Sequence, residues 1–234
     1  VVELLHENNI NSSDINMIIH GTTLATNAVI ERKGAKTCFI TTEGFRDVLD
    51  IGYESRFDQY DILIEKTMSI VPRKHRYVIE ERTDINGNII KTINTKKFHS
   101  LVDTIKNEKI ESIGIGFLHS YANSKNENEL KEFLLKYLPD VEVSISSDVC
   151  PEIREYERFT TTVVNSYIKP LISTYLKKLD TELGQKGFNC PLLLMTSGGT
   201  LTNVTSACNN PVRLVESGPA GGAILATSIA EDLK

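Results

Sequence analysis

At 234 residues, 40% apolar and 24% charged, the chain has the make-up of a globular protein, and about 150 residues per domain allows one to two domains. Its net charge of −5 excludes the dense basic field that a nucleic-acid binder needs. No run approaches the ~18 apolar residues of a membrane span, and residues 1–6 lack the basic start and long apolar stretch of a signal peptide, so a cytoplasmic protein without a membrane partner is expected.

In chain order, residues 17–19 read as a strand and 23–32 as the helix after it. Residues 37–41 form the next strand, a short helix follows from 43 to about 51, and 53–72 read as loop. The cluster Arg73-Lys74-His75-Arg76 reads as solvated. Tyr77-Val78-Ile79 and Ile89-Ile90 flank Asn86-Gly87, which predicts a hairpin with a type I′ turn. Thr95 is a candidate N-cap for a helix whose Phe98, Leu101, Val102 and Ile105 share one face. A buried strand over 112–118, a helix over 126–137 and an alternating strand over 141–145 come next. The longest helix is predicted over 160–183, with Pro170 expected to kink it by removing one backbone donor. A buried strand over 191–195, a break at Ser197-Gly198-Gly199 and a last helix from 217 to about 233 complete the pattern. Strands alternating with helices, with a hairpin inserted, predict an α/β layered mixed sheet flanked by helices.

Candidate chemistry lies at strand ends. His20-Gly21-Thr22-Thr23 with Thr26 and Asn27 follows a buried strand and opens a helix, where open α/β sheets bind ligands and helix N-termini offer free N–H groups. A plain helix cap beside a core histidine explains the same residues equally well. Ser197-Gly198-Gly199-Thr200 is a second strand-end loop, for which a turn is the simpler reading. Residues 217–222 fit neither phosphate-loop pattern. Gly218, Ala220, Gly221, Gly222 and Ala223 instead make a helix small on most faces, suited to a close interdomain crossing, with Ser217 and Gly218 facing a ligand. The five charges between Glu152 and Arg158 read as a solvated helix start, with an interfacial ion network as the alternative. Arg46, Asp47 and Arg56 flank the loop after the second strand and could receive an anionic group. Four scattered cysteines without Cys-x-x-Cys point to reduced thiols, and the histidines lack metal spacing, so no metal site is expected. No catalytic base or nucleophile emerges from spacing.

The segment His20-Gly21-Thr22-Thr23-Leu24-Ala25-Thr26-Asn27-Ala28 resembles the A-type branch of the hydantoinase/oxoprolinase family. Thr41-Thr42-Glu43-Gly44-Phe45-Arg46-Asp47-Val48-Leu49, Phe117-Leu118-His119-Ser120-Tyr121-Ala122-Asn123, Pro151-Glu152-Ile153-Arg154-Glu155-Tyr156-Glu157-Arg158 and Ser217-Gly218-Pro219-Ala220-Gly221-Gly222 fit it in family order. The resemblance implies one lobe of an actin-like, ribonuclease-H-like ATPase fold. It also implies an N-terminal-type domain over 1–148 and the start of a second domain over 149–234.

The implied activity is ATP- and Mg-dependent opening of a hydantoin, N-methylhydantoin or 5-oxoproline ring through a phosphorylated intermediate. The alternatives are one component of an ATP-dependent acetone or acetophenone carboxylase, and a non-catalytic actin-like binding or assembly module. A B-type subunit or fused B region is the implied partner, and a homo-oligomer is compatible. On this resemblance His20, Gly21, Thr22, Thr23, Thr26, Asn27 and Arg46 are substrate-cleft candidates. Ser197, Gly198, Gly199, Ser217, Gly218, Gly221 and Gly222 are the nucleotide-side candidates. The family's two Asp-x-Gly-Gly-Thr phosphate hairpins do not occur in the sequence, and Val1 is not Met. The chain is therefore expected to be a segment of a longer protein that by itself binds no nucleotide tightly and hydrolyses no ATP.

Overall fold

The computed structural model describes residues 5, 7–53, 60–64, 67–94, 96 and 98–232. Thr95 and Arg56, an expected cap and an expected anion ligand, lie outside the described residues, as does Leu233. In chain order the first elements are β1 (Ile18–His20), α1 (Leu24–Ile30), β2 (Thr37–Thr42), α2 (Val48–Ile51), β3 (Arg76–Ile79), β4 (Arg82–Thr83) and β5 (Ile89–Lys91). Then come α3 (His99–Asn107), β6 (Ser112–Gly116), α4 (Lys125–Tyr137), β7 (Glu142–Ile145), α5 (Ser146–Val149) and α6 (Glu155–Gln185). The last are β8 (Leu192–Met195), β9 (Leu201–Asn203), α7 (Val204–Asn209) and α8 (Ser217–Asp232). This is the expected α/β class, and its contacts divide it into a middle unit, Ala35–Tyr167, and a terminal unit, Val1–Gly34 with Ile168–Lys234.

The middle unit is built on a four-stranded sheet in the order β3-β2-β6-β7, every pair parallel. Every residue of β2 and β6 is buried, as expected where helices cover both faces of a parallel sheet. Alternation sorts the side chains. Cys38, Ile40, Ile113, Ile115, Val143 and Ile145 pack against Val102 and Ile105 of α3 and Leu130 and Leu134 of α4. On the opposite face Phe39 meets Phe159 and Val163 of α6. There β6 presents Ser112, Gly114 and Gly116. A Cβ on Gly116 would stand 2.5 Å from the Phe159 ring and one on Gly114 3.1 Å from Ser166 Oγ, so α6 lies against bare backbone.

Several expectations shift here. The hairpin exists, but its first strand is β4 rather than Tyr77-Val78-Ile79, because β3 is taken into the parallel sheet beside β2. Its turn is not type I′: Gly87 has φ +82, whereas Asn86 does not enter the positive-φ region that type I′ requires. Asp84 organises the loop, its carboxylate accepting from the N–H groups of Asn86 (2.9 Å) and Asn88 (2.8 Å). Only residues 48–51 of the helix expected over 43–51 are helical, since Gly44 at φ +88 interrupts the first turn. The long helix begins earlier, at Glu155, and runs unbroken through Pro170.

In the terminal unit β1 pairs parallel with β8, and β8 antiparallel with β9. Leu192 and Leu194 are buried, while Leu193 and Met195 are half-buried and Ile19 is exposed, so this sheet is covered on one face. Sequence reading missed β9 and α7, which are short and polar. The small-residue helix α8 is not packed as expected: Ser217 is buried, but residues 222–231 are exposed. None of the four cysteines is in a disulfide.

Candidate functional site

The end of β1 and the start of α8 meet at one cavity of about 470 Å³, lined by Ile19, Gly21, Thr22, Thr23, Met195, Ser217, Gly218 and Gly221. Strand period decides which residues face it. Ile19 and Gly21 look into the cavity. His20, in register with buried Leu194, turns the other way, where its Nε2 lies 2.9 Å from the Tyr175 hydroxyl on α6. Desolvation there lowers the His20 pKa, favouring a neutral imidazole.

Hydroxyls stitch the two chain segments together. Thr22 Oγ1 accepts from Leu24 N (3.1 Å), capping the turn into α1. Thr26 Oγ1 accepts from Glu216 N (3.0 Å), and buried Ser217 Oγ donates to the Thr22 carbonyl (3.2 Å). Glu216 holds φ +63, a conformation that costs of order 1–3 kcal/mol outside glycine and that these bonds sustain. Asn27 Nδ2 donates to Thr23 Oγ1 across one helical turn, at 3.4 Å. The cap and ligand readings of this segment are compatible, because a hydroxyl that accepts from backbone keeps its own proton to donate.

The structure thus brings Gly21, Thr22 and Thr23 together with Ser217, Gly218 and Gly221. His20, Thr26 and Asn27 support this cavity from outside its lining. A Cβ on Gly222 would meet nothing within 4 Å. Ser197, Gly198 and Gly199 form the β8–β9 turn instead, closed by Thr196 and Thr200 hydroxyls 2.9 Å apart, with Gly199 at φ +74. Arg46 belongs to the middle unit, where it lines a different cavity. Sequence reading missed Ile19, Met195 and Tyr175. Period-2 alternation from Gly21 points to Ile19, whereas no local signal marks Tyr175.

The middle unit closes the carboxyl edge of its sheet with side chains. Arg158, expected to be solvated from its charged neighbours, is fully buried. It donates from Nε to Ser146 Oγ (3.1 Å), from Nη1 to the Glu152 carbonyl (2.9 Å) and from Nη2 to the Phe117 carbonyl (2.8 Å), and it stacks on Tyr121 and Phe159. Buried Glu127 accepts from Phe117 N (2.9 Å), Ser146 Oγ (2.6 Å) and Ser147 N (2.9 Å). Buried Glu81 accepts from Thr42 Oγ1 and from Asn126 Nδ2, and burial pushes its carboxyl pKa up. The basic cluster is solvated only in part: Arg73 and Lys74 are exposed, whereas His75 and Arg76 are buried and Arg76 is forked on Asp50 at 2.6 and 2.7 Å. No group of three His, Cys, Asp or Glu suited to a metal occurs among the described residues. No helix there is long and apolar enough to cross a membrane.

Comparison with known proteins matches residues 1–138 to the hydantoinase/oxoprolinase N-terminal region and residues 158–234 to hydantoinase/oxoprolinase. An uncharacterized protein of Methanocaldococcus jannaschii is 42% identical over 90% of this chain and 31% of its own length. The alpha subunit of the Pseudomonas jessenii caprolactamase is 31% identical over 89% of this chain and 30% of its own. The crystal structure of the ATP-dependent caprolactamase from Pseudomonas jessenii superposes with a TM-score of 0.88 at 28% identity, covering 99% of this chain and 34% of that one. The chain therefore spans about a third of the length of these proteins.

Proposed function

The chain belongs to the hydantoinase/oxoprolinase family, and on that premise we propose that it is part of an ATP-dependent enzyme that opens cyclic amides. The observation that carries this reading is the cavity shared by Gly21, Thr22 and Thr23 with Ser217, Gly218 and Gly221. Its glycines leave room for a ring, Ile19 and Met195 offer an apolar wall, and the threonine hydroxyls can donate to an amide carbonyl. None of the lining residues is charged, so the cavity does not fit a magnesium triphosphate, and we assign no phosphoryl step to it. ATP and Mg²⁺ belong to the proposal through the family, and residues 1–234 alone are expected not to turn over MgATP. His20, Thr26 and Asn27 position the loop. Ser197, Gly198, Gly199 and Gly222 stay nucleotide-side candidates by family motif only. The division at 148/149, a B-type partner chain and a cytoplasmic setting complete the reading.

The test is substrate-dependent ADP release by the full-length protein with hydantoin, N-methylhydantoin, 5-oxoproline and caprolactam, beside acetone and acetophenone with bicarbonate. Stimulation by a cyclic amide supports the proposal. Stimulation only by a ketone with bicarbonate replaces it with the carboxylase reading, and no stimulation by either favours a binding module. A Cβ on Gly218 stands 3.4 Å from Thr23 Cγ2, so Gly218→Val pushes into the cavity. It is expected to cut kcat/KM by about 100-fold, as misplacement of about 1 Å does.

A further inference from the structure

The middle unit holds a second cavity, of about 600 Å³, between β3 and α3, whose lining includes Glu43, Arg46, Val78, Phe98 and Leu101. Its charges are unevenly satisfied. Around the loop after β2, Arg73 forks on Asp47 (2.8 and 3.0 Å) and Arg76 on Asp50, so both nearby aspartates are engaged. Arg82 lies over the Phe45 ring, and Glu80 pairs with Lys91. Arg46 is half-buried and lies in the field of neighbouring Asp47, but among the described residues no ion pair holds it; exposed Glu43 likewise makes no ion pair there. The cavity thus presents a guanidinium and a carboxylate that are outside these ion pairs, and an apolar strip formed by Val78, Leu101 and Phe98.

That combination matches a ligand with a carboxylate at one end, an ammonium at the other and methylenes between. We propose that this cavity binds a small zwitterionic amino acid, Arg46 receiving the carboxylate and Glu43 the ammonium. Opening a lactam such as 5-oxoproline or caprolactam yields this class: water adds its oxygen to the carbonyl carbon, the C–N bond breaks, and the nitrogen leaves as an amine that is protonated, whereas a hydantoin gives a ureido acid without an ammonium. The ligand's identity as a product rests on the proposed function; its recognition by Arg46 and Glu43 does not.

The experiment is calorimetric titration of the full-length protein with 6-aminohexanoate, and with hexanoate and hexylamine as one-ended probes. The zwitterion is expected to bind at least about tenfold tighter than either, and Arg46→Gln and Glu43→Gln each to weaken it by about tenfold. Gly218→Val, in the other cavity, is expected to leave it unchanged. Equal binding of the three probes, or binding indifferent to both Gln variants, overturns the proposal, as does binding lost in Gly218→Val but kept in Arg46→Gln. Glu43, being exposed, supplies a folded variant should Arg46→Gln not fold. Ring-opening assays run beside the titrations separate the two readings. Arg46-dependent binding without turnover of any cyclic amide removes the proposed function alone, and turnover without Arg46-dependent binding removes this inference alone.

Discussion

The two units solve the same problem, the carboxyl end of a strand, in opposite ways. In the middle unit the ends of β2, β6 and β7 are plugged by Thr42, Glu81, Glu127, Ser146 and Arg158, a network buried among its own hydrogen bonds. In the terminal unit the end of β1 opens on a cavity walled by glycines and hydroxyls. Open α/β sheets bind ligands beyond the carboxyl ends of their strands; the end of β1 leaves that space, whereas in the middle unit the network fills the ends of β6 and β7 and the cavity lies between β3 and α3. A strand end becomes a site when small residues keep side chains out of it. It becomes a keystone when charged side chains fill it and satisfy one another.

The largest effect that tests this contrast is Arg158→Ala. It removes three donors from a fully buried position, taking the Arg158 bond from the Phe117 and Glu152 carbonyls and from Ser146 Oγ, at an expected cost of about 3–5 kcal/mol. Amide exchange of Ile113 and Ile115 in the full-length protein reads this directly. Protection unchanged from wild type would mean that the network is not a keystone. Tyr175→Phe probes the terminal unit more gently. Losing the half-buried bond to His20 is expected to cost about 0.5–1.5 kcal/mol, seen as faster exchange at β1. A loss as large as that of Arg158→Ala would erase the contrast.

The smallest effect at any single pH belongs to Glu81. Burial raises its folded pKa above the ordinary 4.5, so between the two values the folded state binds more protons than the unfolded state. Its contribution is therefore fully present below 4.5 and lost as pH rises through the folded value. Glu81→Gln is expected to remove that slope from the pH dependence of middle-unit stability, measured by exchange at Leu118. A slope that persists would assign it to another group.

Much of this is legible before any coordinates. The buried strands at residues 37–41 and 112–118, the stripes of α3 and α4 and the hairpin at Asn86-Gly87 follow from local period and turn chemistry. The segments that make up the terminal cavity stand out in the sequence as well, although family motif assigns one to the substrate and the other to the nucleotide. What fails does so for non-local reasons. The Tyr77-Val78-Ile79 run looks like a hairpin arm until β2 recruits it as a parallel neighbour. The 152–158 run looks solvated until Arg158 finds two carbonyls and two aromatic rings to replace water.

By itself the sequence determined the α/β class, the elements with strong period and the family, because each is encoded within a few adjacent residues or in the order of short motifs. Only the tertiary structure decided which face of β1 each residue takes, that His20 turns to Tyr175 while Gly21 faces the cavity, and that Arg46 lines a different cavity. Those outcomes depend on register between strands distant in the chain and on whether a charge meets a partner when buried, and neither is written in local spacing.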